Sequence, residues 1–166
     1  MENEKKKKIS KKLILIPVII VVMLLLIIIV TNVIFALNKD SYEIFVDVKN
    51  VGDTYSGKDV VQIYLQKPYT SFDVERGIEK AAVELVGFAK TDVLAPGASE
   101  TVKITVSESE FRVYDANVDK TYIITEGDYY LTAATDSHNA INNILTHQGY
   151  TNTDAQGDKD LVEKVS

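Results

Sequence analysis

The chain has 166 residues, a formal charge of −6 and no cysteine, which excludes disulfides and thiolate metal sites. The charge is uneven: residues 1–12 carry six lysines against two glutamates, leaving 12 basic and 22 acidic side chains, or −10, on the rest. An acidic body without a basic stripe argues against nucleic acid as a partner, because phosphate contacts need Lys and Arg. An apolar N-terminal run takes a large share of that length and leaves a folded part of about 100 residues, enough for one β-sandwich core and too few for an enzyme barrel.

Lys5, Lys6, Lys7, Lys8, Lys11 and Lys12 precede an apolar run over residues 13–37, opening at Leu13 and closing at Leu37. At about 1.5 Å per residue a helix of this length crosses a hydrocarbon layer of about 30 Å. Pro17 lies in its first turns, where a missing N–H matters least. The run is longer than the apolar core of a cleaved signal peptide, although Val33 and Ala36 are spaced for cleavage. The expectation is a signal anchor, with a basic cytoplasmic segment at 1–12, a transmembrane helix at 13–37 and an extracytoplasmic body at the cell surface.

Asn38-Lys-Asp40 is a polar spacer. Tyr42, Ile44, Val46 and Val48 then alternate against Glu43, Phe45, Asp47 and Lys49, as a strand with one buried face requires. Asn50-Val-Gly-Asp53 reads as a turn in which Gly52 is free to take positive φ. Residues 60–65 form a compact β-branched and aromatic run, with Val61, Ile63 and Leu65 on one face. A long connection to Lys80 leads to a third strand over 82–88. Leu94-Ala-Pro-Gly97 is a turn. Val102, Ile104 and Val106 mark a fourth strand, and Ser107-Glu-Ser-Glu110 opens a helical turn through Phe111.

Residues 120–124 and 128–133 read as a closing hairpin around Glu126-Gly127. Asp136 or Ser137 caps a helix over 139–148 whose apolar stripe is Ala140, Ile141, Ile144 and Leu145, with Gly149 as its stop. The expected class is all-β: an antiparallel immunoglobulin or fibronectin type III-like sandwich over 41–134 with a helical extension at 135–150. Residues 151–166 read as an acidic flexible tail.

The series Asn50-Val-Gly52, Gly57-Lys-Asp-Val-Val-Gln-Ile-Tyr-Leu65, Glu84-Leu-Val-Gly-Phe88, Leu94-Ala-Pro-Gly97 and Gly127-Asp-Tyr-Tyr130 resembles the fibronectin type III-like module of glycoside hydrolase family three, the β-glucosidase and β-xylosidase family. The resemblance implies an origin in carbohydrate metabolism. It also implies that hydrolysis belongs to a catalytic barrel and a second α/β domain, neither of which fits in this length. A strand upstream of Tyr42 completes the sandwich in the family, so one sheet here is expected to have an exposed edge.

Three readings of function follow: a non-catalytic accessory or interaction module, a truncated piece of a β-glucosidase-type hydrolase, and an independent carbohydrate-binding or adhesion module. No catalytic residues are assigned. Retaining and inverting glycosidases need carboxylate pairs at set separations, and the acidic residues here read as solvated surface charge. His138 and His147 lie nine residues apart, about 13 Å along a helix, too far to share one metal.

The connection after residue 67 supplies Tyr69, Phe72, Arg76, Ile78 and Glu79 as candidates for sugar or interdomain contact, with Tyr69, Phe72 and Ile78 as an apolar patch. No cofactor is expected, with calcium the single alternative. Asn152, Asp154, Gln156, Asp158, Asp160 and Glu163 follow the register of a calcium loop, with Gly157 at the sixth position. The expected partners are the membrane, through residues 13–37, and glycoside hydrolase catalytic domains or a carbohydrate.

Overall fold

The computed structural model describes residues 23–28, 41–151 and 156–166. The chain divides into two units, Met1–Lys39 and Asp40–Ser166. In the first, residues 23–28 are helical, and the rest of the expected transmembrane helix lies outside the described residues. Among the described residues no helix is long and apolar enough to cross a membrane.

The second unit is mostly antiparallel β. Its elements are β1 (Ser41–Lys49), β2 (Val60–Gln66), α1 (Ser71–Arg76), β3 (Glu84–Lys90), β4 (Ser99–Ser107), β5 (Val113–Asp115), β6 (Thr121–Ile123), β7 (Tyr129–Ala134), α2 (Ser137–His147) and β8 (Val162–Val165). One sheet has the order β3-β2-β7-β8; β1 pairs with β4, and β5 with β6. The register of β1 on β4 sets Ile44 against Ile104 and Val46 against Val102, so alternation on both strands delivers one apolar face.

That face meets Val61, Ile63 and Leu65 of β2, with Phe111, Tyr129 and Leu131 completing the core. Ile63 and Leu65 are 1% and 0% exposed. Between Ile63 and Tyr64 the β2–β3 register shifts, and Gly87 stands where a Cβ would come within 2.8 Å of the Ile104 side chain. Glycine therefore lets β3 close onto β4. The turn expected over Leu94–Gly97 forms one residue later, over Ala95–Ala98, with Gly97 at φ 77° and the Ala98 N–H donating to the Ala95 carbonyl at 3.0 Å.

Four local expectations are corrected. Gly52 does not adopt positive φ; instead the Asn50 side chain accepts the Gly52 N–H at 3.0 Å and donates to the Tyr55 and Leu94 carbonyls, turning the chain by its own amide. The third strand starts at Glu84, not at residue 82. Residues 121–123 pair with β5, and β7 pairs with β2 and β8, so the expected closing hairpin does not form. The physical reason is burial: Tyr129 and Leu131 enter the main core, whereas Tyr122 stays exposed and stacks edge-on against Tyr114.

The fourth correction concerns the segment read as a flexible tail, whose last residues form β8 on the edge of β7. Two contacts bring it back. The Asn143 amide donates to Thr132 Oγ1 and the Ala133 carbonyl, and its Oδ1 accepts the Asp158 N–H at 2.8 Å. Gly157 lies against the backbone of Asn142 where any Cβ would collide. Helix α2, expected over 139–148, forms over Ser137–His147, capped by Asp136, which accepts the Asn139 N–H at 2.9 Å. It buries Ala140 and Ile144 together with Asn142 and Asn143.

Candidate functional site

The connection after β2 holds the residues singled out for contact, and its geometry begins with Thr70-Ser-Phe-Asp73. The Asp73 carboxylate accepts the Thr70 N–H at 2.8 Å, one arm of a capping box that starts α1. Gly77, at φ 63°, ends the helix in the left-handed region open to glycine, and the Ile78 N–H then returns to the Asp73 carbonyl at 2.9 Å. The loop expectation for these residues thus gives way to a six-residue helix with both ends specified.

Two ion pairs fasten this helix. Lys80 Nζ lies 2.7 Å from Asp73 Oδ1, with both side chains almost wholly buried, and it also donates to the Pro68 carbonyl at 2.6 Å and Thr125 Oγ1 at 2.8 Å. Three acceptors around one ammonium satisfy a charge that could not stay buried unpaired. Burial alone would raise the Asp73 carboxyl; the hydrogen bonds from Lys80 and the Thr70 backbone outweigh it and hold the group below its ordinary value.

Arg76 reaches across to the β5–β6 connection, where Nη1 lies 2.6 Å from Asp115 Oδ2 and also pairs with Asp119. Its guanidinium sits 4.4 Å from the Phe72 ring centroid, within cation–π range. Hydrogen bonds from Asp119 and then Asp115 raise Arg76 above its ordinary value. Asp115 is itself fully buried. The Val118 N–H leads the causes that lower its carboxyl to about 2, with Arg76 and the Asp119 and Asn117 N–H groups assisting against burial. A general acid for glycoside cleavage needs a raised pKa; Asp73 and Asp115 are shifted the other way and act as struts.

On this frame Tyr69 is 58% and Phe72 41% exposed, joined by Val74 and Ile124. Thr70, Phe72, Ile124, Thr125 and Glu126 line a shallow cavity of about 470 Å³. Glu79 is exposed. Ile78 is only 3% exposed, which corrects its expected place in a bare patch: the return bond to Asp73 turns its side chain inward. Leu85 and Phe88 of β3 are also exposed. Sequence reasoning missed Asp73, Lys80, Asp115 and Asp119; the Thr70-x-x-Asp73 spacing and the Gly77 stop were the available signals.

Among the calcium-loop residues, Asn152 and Asp154 lie outside the described part of the chain. Asp158 caps the short turn Lys159–Leu161 by accepting the Asp160 N–H at 3.0 Å. Glu163 stands in β8 opposite Leu131, whereas a calcium loop delivers this residue to a helix. Among the described residues no three His, Asp or Glu side chains converge to hold a metal ion. His138 lies 3.3 Å from the Asn142 amide and His147 packs edge-on to Tyr130, both exposed.

The two packed β layers, with their short α1 clamp and α2 cover, define a fibronectin type III-like fold. Residues 59–137 match the family model of the fibronectin type III-like domain. A 76-residue stretch is 42% identical to a β-glucosidase of Ruminococcus albus, covering 46% of this chain and 7% of that enzyme. Among solved structures, a β-glucosidase of Paenibacillus barengoltzii shares the fold with a TM-score of 0.55 at 23% identity, over 77% of this chain and 11% of the enzyme. The Kluyveromyces marxianus β-glucosidase in complex with glucose aligns with a TM-score of 0.51 at 29% identity, over 60% and 11%. The chain therefore spans about a tenth of the length of the relatives it matches.

Proposed function

We propose that this chain is a non-catalytic, membrane-anchored accessory module related to family-three glycoside hydrolases, held outside the cytoplasm by residues 13–37. The observation that carries this reading is the coverage: similarity to β-glucosidases is confined to a fibronectin type III-like body amounting to 7% and 11% of the enzymes. The exposed face built on α1, with Tyr69 and Phe72 foremost, is the docking surface for glycosidase catalytic domains. Its ion pairs keep that face in shape before a partner arrives, which lowers the entropy lost on docking.

The test is binding of the full chain to a family-three β-glucosidase from which the matching domain has been removed. Replacing Tyr69 and Phe72 by Ser is expected to weaken that complex at least tenfold, in line with aromatic anchors dominating such contacts. No measurable complex with the intact surface would overturn the reading. The same coverage favours one alternative, a piece of a longer β-glucosidase whose barrel is encoded downstream, and sequencing past the codon for Ser166 separates the two.

A further inference from the structure

Among the described residues the core is unevenly roofed: the sheet of four strands supplies one side, and the β1–β4 pair the other. Among the described residues β1 pairs with β4 alone, leaving a nine-residue edge without proline or bulge, the kind of edge that accepts another strand. Along that edge runs a groove of about 580 Å³, floored by Ile63, Leu131 and Val165 and walled by β1 and β8.

Its charge is one-sided. Glu43, Asp47, Asp160 and Glu163 line it, with no Lys or Arg among the described lining residues. Glu43 is paired with Lys103 and Asp47 accepts the Thr101 hydroxyl, whereas Asp160 and Glu163 have no cationic partner among the described residues. The pairing of Glu163 with Leu131 puts it on the core-facing side of β8.

We propose that this groove binds an extended segment of a partner protein, added as a strand to β1, with apolar residues on one face and lysine or arginine on the other. An added strand would lay its inward side chains over Ile63 and Leu131. Its outward ones would stand beside Glu43, Phe45 and Asp47, where opposite charges across neighbouring strands stabilise and like charges repel. That rule disfavours a second copy, which would set Glu43 and Asp47 against their own equivalents. The groove shares no residue with the α1 face, so the two surfaces fail or succeed independently.

The probe is the fluorescein-labelled peptide Gly-Lys-Val-Tyr-Val-Lys-Val-Gly, compared with its counterpart carrying Glu in place of Lys. Both are titrated by anisotropy into the full chain in micelles at low salt, with hydrogen exchange followed by mass spectrometry. The lysine peptide is expected to bind at least tenfold more tightly and to slow exchange over Ser41–Lys49. The Glu43→Lys/Asp47→Lys variant is expected to reverse the preference. The exchange measurement on the unsubstituted chain decides the matter even if that variant misfolds. The proposal is overturned by equal or absent binding, by protection outside β1, by β1 amides as protected as those of β2 before any peptide is added (an occupant from the same chain), or by a dimer in sedimentation.

Discussion

At the residue scale the molecule rests on a few buried polar groups that the hydrophobic pattern does not reveal. Lys80 and Asp73 are the clearest pair, because both side chains are buried and form an ion pair at 2.7 Å. Lys80→Ala leaves the Asp73 carboxylate buried without its cation and is expected to lower stability by about 3 kcal/mol in urea unfolding. The double replacement Asp73→Leu/Lys80→Met removes both charges and should be milder. Asp115 gives the pH dependence. Its folded pKa of about 2 lies below the ordinary 3.8, so the stability it contributes is complete above the ordinary value and is lost as pH falls through about 2. Thermal melts at pH 5 and pH 2.5 should show a larger drop in Tm for the native chain than for Asp115→Asn.

Elements follow from pattern where one face is buried. Residues 60–65 and 102–106 were legible because alternation in each matches a single apolar face, and the register of β1 on β4 then pairs those faces. The pairing of β6 was not legible, since a three-residue strand bearing an exposed Tyr122 carries too little periodicity to choose a neighbour. β8 was hidden by its composition: Val162-Glu-Lys-Val165 is polar on average, and what recruits it is Asn143 and the Gly157 contact, both long-range. In the candidate site, Tyr69 and Phe72 were legible as aromatics on a long connection, but their exposure and the inward turn of Ile78 depend on the cap of a helix that was not anticipated. Where β3 and β4 touch, Gly87→Ala is expected to destabilise by about 1–3 kcal/mol through overpacking, measured by chemical denaturation. An equal or higher stability would mean the Ile104 side chain yields freely.

At the scale of the whole molecule, function is a matter of surfaces. The core and its ion-pair clamps hold the body together; the α1 face and the β1 groove are the surfaces proposed to meet partners. Beside the α1 face the Asp73 and Asp115 carboxyls are both held below their ordinary value, the opposite of what a proton donor needs. The measurement that tests the accessory reading most directly is hydrolysis of an aryl β-glucoside by the full chain, alone and mixed with a β-glucosidase lacking its fibronectin type III-like domain. The account predicts no turnover by the chain alone and a gain in stability or rate for the truncated enzyme in the mixture. Turnover by this chain alone, above the uncatalysed rate, would contradict it.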